Sequence, residues 1–224
     1  MKQIPNYGDA RQSAACTYCG NVADTRDHVP ARVLLDEPLP ENLHVVPACL
    51  KCNNAAAADE EYLACLLECV ICGTAEPAKL TREKIRRVLS ERSLLQGKLA
   101  AAQDKRQAKF AVELVRVERV IVKLARGHTL YDLNEPQYSE PATIRIVPLH
   151  LLGEDAREEF EHTTGHDFEI WPEVGSRAMQ RLAENGAEWI DVQTDRYRFA
   201  ATASAGIRVR IVVSNYLACE VCWE

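Results

Sequence analysis

Polar and apolar positions divide the chain into a short stranded start, a helical middle and a stranded end. A strand is predicted to close near Asp27-His28-Val29, and a loop punctuated by Pro30, Pro38 and Pro40 follows. A second strand is predicted over residues 43–46. A helix should begin near Cys52. Residues 55–58 are all alanine, and an apolar stripe continues through Leu63, Leu66, Leu67 and Val70 until Gly73 and Pro77 stop it. Ile85, Val88, Leu89, Leu95 and Leu99 then predict one amphipathic helix from Thr81, as its cap, to about Gln107. Residues 111–117 fit either strand or helix. Residues 116–125 fit a helix, with Val117, Val120, Ile121 and Leu124 on one side and Gly127 as the stop.

Pro136 and Pro141 mark a linker, after which residues 143–147 form a strand, 154–162 a short charged helix and 175–185 another. Four strands are predicted to close the chain, at 189–193, 197–201, 207–213 and 216–223, with Ser214-Asn215 as a turn. The alternation Ile207-Arg208-Val209-Arg210-Ile211 gives that sheet one wet and one dry face. The expected class is α+β. Three regions follow: a finger with its helix over 1–78, a basic helical region over 79–135, and an α+β region over 136–224 with no assigned role.

At 224 residues and 47% hydrophobic composition the chain can bury a core without disulfides. No apolar run reaches membrane-spanning length, and the first residues lack the apolar segment of a signal peptide, so a cytoplasmic protein is expected. In that compartment nine cysteines point to metal ligands or buried thiols. The net charge of −6 is unevenly distributed. Residues 79–126 carry 14 Lys+Arg against 5 Asp+Glu, whereas 1–78 carry 5 against 11 and 127–224 carry 8 against 17. A basic face on an acidic protein suits phosphate contacts; a solvated helix surface is the plain alternative.

Candidate chemistry concentrates near the N-terminus. Cys16/Cys19 and Cys49/Cys52 are two Cys-x2-Cys pairs separated by 29 residues, a spacing that can close a tetrahedral zinc site. They bracket Asp27, His28 and Asn42, and Asn53-Asn54 follows the last cysteine. A histidine titrating near neutrality can take a proton from water, while a carboxylate with an amide oxygen can hold a hard cation. Because adjacent strand residues point in opposite directions, Asp27 and His28 can share a site only if the strand or the following loop is distorted.

The set Asp27-His28-x-Pro30, Asn42-Leu43 and Cys49-x2-Cys52-Asn53, preceded by Cys16-x2-Cys19, resembles the HNH endonucleases with a structural zinc, over about residues 14–62. Residues 120–127 and 208–223 are similar to the distal part of bacterial HNH proteins with a C-terminal extension. The resemblance implies a treble-clef-like ββα-metal finger that hydrolyses DNA. In it His28 is the general base, Asp27 and Asn53 hold one Mg²⁺ or Mn²⁺, and Asn42 braces the loop that orients His28; Asn54 is the alternative to Asn53. One departure stands out: the position that carries Lys or Arg in many members is Ala56 here. Phosphate contacts then fall to Lys51, Arg26, Arg32 or the basic region.

A zinc finger that binds nucleic acid or protein without catalysis is the rival reading, and a homodimer or a regulatory protein partner is a further expectation. Cys69/Cys72 and Cys219/Cys222 are two more pairs that would form a second zinc site; an apolar stripe of buried thiols, with Cys65, is their simpler explanation. His44 is expected to be structural. His128, His150, His162 and His166 lack ligand-like spacing and are expected to be solvated or hydrogen-bonded, and Trp171, Trp189 and Trp223 to belong to the core.

Overall fold

The computed structural model of the chain describes residues 13–104, 106, 109–162, 189–204 and 206–224. The helix expected at 175–185, His166 and Trp171 lie outside them. Strands β1 (Thr25–Val29) and β2 (His44–Ala48) form an antiparallel hairpin, with His28 opposite Val45 and Asp27 opposite Val46. Helix α1 (Leu50–Cys72) follows directly. It starts two residues before Cys52 because Cys49 caps it, its sulfur accepting the Cys52 amide hydrogen at 3.4 Å. Gly73, in the left-handed conformation, closes it.

The single helix expected from Thr81 is two, α2 (Glu83–Glu91) and α3 (Ser93–Ala102), broken at Arg92 with φ −100° and ψ 69°. Nor does Thr81 cap α2: the amides of Thr81 and Arg82 both donate to the Glu68 carboxylate on α1, at 2.8 and 2.7 Å. Short strands β3 (Gln103–Asp104) and β4 (Lys109–Phe110) precede α4 (Leu114–His128). Gly127 does not stop α4. The helix passes through it into a π-helical turn, Thr129–Leu133, that ends at Asn134. What Gly127 provides is proximity, since a Cβ there would lie 2.5 Å from a methyl of Val29 on β1.

Beyond the linker, β5 (Thr143–Pro148), α5 (Glu154–Glu161), β6 (Ile190–Gln193), β7 (Tyr197–Ser204), β8 (Gly206–Val213) and β9 (Leu217–Trp223) complete the fold. The five strands form one antiparallel sheet in the order β5-β9-β8-β7-β6. One face presents Phe199, Val209, Ile211, Cys219 and Val221 to the same core as Tyr62, Leu63 and Leu66 of α1 and Val120, Ile121 and Leu124 of α4. That core therefore draws on all three sequence regions. Trp223 is buried with it, while Trp189 packs on Phe160 in a smaller cluster. The other face of the sheet, expected to be wet, is partly covered: Leu149 and Phe160 pack on Val212 and Ala218, and Arg210 is buried there, donating to the Phe160 carbonyl.

The loop between β1 and β2 is tied down by Asp36. One carboxylate oxygen accepts from Arg82 Nε at 2.8 Å and the other from Arg196 Nε at 2.5 Å, and Gln193 makes two hydrogen bonds with the Asp36 backbone. Arg82 is buried and also donates to the carbonyls of Val33 and Leu35. Burial alone would push the Asp36 carboxyl up, but the two guanidinium groups outweigh it and hold the group below its ordinary range. A carboxyl lowered in the folded state contributes stability above its unfolded value, about pH 4, and loses it as pH falls through the folded value. Asp36→Asn should therefore cost about 2 kcal/mol in urea unfolding at pH 7, a partly exposed version of breaking a buried pair. The difference from wild type should shrink below about pH 4.

Candidate metal centre and the face of His28

The four predicted thiols converge. The sulfurs of Cys16, Cys19, Cys49 and Cys52 all lie within 4.8 Å of one another. The first pair sits on a turn ahead of β1, fastened by Cys16 N–H to the Asn21 carbonyl at 2.6 Å; the second spans the start of α1. Cys19 and Cys49 sulfurs are 3.8 Å apart, the edge expected of a tetrahedron with Zn–S bonds of about 2.3 Å. The Asn21 backbone N–H and neighbouring thiols lower Cys19 to about 7, whereas burial raises Cys16 and Cys52. A shared dication would favour the thiolate at all four. The cluster can hold a zinc ion.

Asp27 and His28 leave β1 in opposite directions, as strand alternation requires. Asp27 is buried toward α1 and α4. Its Oδ1 accepts the His28 amide hydrogen at 2.9 Å; its Oδ2 accepts the Tyr18 hydroxyl at 2.7 Å and lies 2.5 Å from Lys123 Nζ on α4. Lys123 also pairs with Glu60 of α1, likewise buried. This arrangement does not fit a divalent ion on Asp27. Both of its oxygens are engaged, and an ammonium already supplies the compensating charge within contact distance, where a second cation would be repelled. Asn53 Nδ2 donates to the Arg26 carbonyl at 3.3 Å.

His28 occupies the other face of β1, half-buried, on the same side as exposed Arg26. Burial, and then the Arg32 guanidinium, push its imidazole below the ordinary value, against a smaller opposite pull from Asp27. Near neutral pH the ring is uncharged. Arg32 and Lys51 are exposed; Asn42 is exposed in the turn before β2 and, among the described residues, makes no hydrogen bond to His28. A cleft of about 410 Å³ between α1 and α4 is lined by Cys52, Ala56, Asp59, Arg119, Lys123 and Arg126 among others, and not by His28, Asp27 or Asn53.

The alternative zinc set does not assemble. Cys219 and Cys222 are three apart on a strand and so point to opposite faces, Cys69 is buried in the core, and the Cys72 thiol lies against Glu68 and Thr81. Two features escaped the sequence. Lys123 carried one faint signal, a cation three residues after Val120 and four before Gly127 on the buried side of α4. His44, His128 and Asp132 form a second convergence of donors within 4.8 Å, in which only the four-residue spacing of His128 and Asp132 was visible.

Lys123→Met would leave two buried carboxylates facing each other, and chemical denaturation should show a loss of about 3–5 kcal/mol; a neutral result would mean that the pair is solvated in solution. Comparison of this chain with family models, curated proteins and solved structures gives no match.

Proposed function

We propose that the chain is an HNH-type endonuclease that hydrolyses phosphodiester bonds in DNA, with His28 as general base. The observation that carries this reading is the position of His28 beside Arg26 and Arg32 on the outward face of a ββα unit stapled by four thiols. An imidazole in its neutral form accepts a proton from the attacking water. Guanidinium groups on the same face offset the charge of the phosphate and fix its orientation. Zinc at the cysteines holds the hairpin against α1 and takes no part in the chemistry. Asp27 orients the strand by accepting the His28 amide hydrogen. No step is assigned to Mg²⁺ or Mn²⁺, because Asp27 in this arrangement is neutralised by Lys123.

That same ion pair favours a second reading, a zinc finger that binds nucleic acid without cutting it. Incubation of the purified chain with supercoiled plasmid, in Mg²⁺, in Mn²⁺ and without either, separates the two. Nicking that falls by roughly 10²–10⁴-fold in His28→Ala, with zinc content unchanged, is expected of the nuclease. Plasmid that is retarded on a gel but stays intact under every condition would leave the binding module.

A further inference from the structure

We propose that His44, His128 and Asp132 form a second metal site for a first-row dication, Zn²⁺ by donor chemistry, at the opposite end of the β1–β2 hairpin from the cysteines. Asp132 Oδ2 lies 3.1 Å from His128 Nδ1 and 3.8 Å from His44 Nδ1. Metal–nitrogen and metal–oxygen bonds of about 2.0–2.1 Å give a tetrahedron donor-to-donor edges of about 3.3 Å, between these two values. Two imidazoles with one carboxylate are borderline donors that suit zinc.

The surroundings hold the donors in place. His128 Nε2 is 2.9 Å from the Tyr197 hydroxyl on β7; with a metal on Nδ1, the ring proton resides on Nε2 and is donated to the Tyr197 oxygen, the outer contact that ligating histidines commonly make. The His128 ring stacks on Phe199 at 3.6 Å and the His44 ring on Tyr131 at 3.8 Å. His128 and Asp132 are fully buried. A dication shared with both imidazoles would offset the charge of a carboxylate so far from water. The competing arrangement is a protonated histidine paired with Asp132 through the same atoms.

The burial also defines the role. A fourth position could be filled by Asp132 Oδ1 or a water, and with two of the three donors fully buried the metal would be structural. It would join β2 to the turn after α4, with β7 behind it. His44 is five residues before Cys49, so β2 would be anchored at both ends. This inference does not depend on the nuclease reading.

The test is metal content by mass spectrometry of the full chain after zinc loading and desalting. Two zinc ions per chain are expected, falling to one in His44→Phe, which keeps the stack on Tyr131, and in Asp132→Asn. Titration of metal-free protein with Co²⁺ provides a readout that needs no variant: one equivalent should show thiolate charge transfer, and a second should add ligand-field bands without it. One zinc per chain in the wild type, or a Co²⁺ titration that saturates at the thiolate site, would overturn the proposal in favour of the imidazolium pair.

Discussion

Four sulfurs meeting at the junction of the β1–β2 hairpin and α1 set the geometry on which the rest of the site depends. A five-residue by five-residue hairpin is too small to hold its shape alone. One cysteine pair lies on the turn ahead of it and the other at its exit into α1, so a shared zinc would fix both ends of the segment that carries Asp27 and His28. Once β1 is fixed, alternation decides the rest: one side chain must face the helices and its neighbour must face outward.

That division explains why Lys123 matters. The inward carboxylate of Asp27 meets Glu60 from α1, and two buried like charges are tolerable only with a cation between them. Lys123 supplies it from α4, and Gly127 one turn later lets α4 approach β1 closely enough to do so. The hairpin is thus locked to the core by an ion triad and by packing, which a zinc ion at the thiols would reinforce. The outward face carries His28 and Arg26.

Much of this was legible in the sequence because the signals were local. Cys-x2-Cys spacing located the sulfur cluster, strand alternation separated Asp27 from His28, and period-two patterning found the C-terminal strands. Long-range effects were not legible. Val88 and Leu95 are seven residues apart, two helical turns, so the apolar pattern runs unbroken across the backbone break at Arg92. Gly127 reads as a helix stop until Val29, distant in sequence, is seen packed against it. Lys123 reads as one more member of a basic stretch, although its partners lie on β1 and α1. His44 gives no hint of His128 and Asp132, because the fold alone brings a strand residue to the end of α4.

Hydrogen exchange of the β1–β2 amides, compared between the zinc-loaded wild type and a Cys16→Ser/Cys19→Ser variant, tests the central claim of a thiol-held hairpin most directly. The account predicts that protection is lost from β1, β2 and the first turn of α1 while β7, β8 and β9 stay protected. Equal protection of the hairpin in both proteins would contradict it.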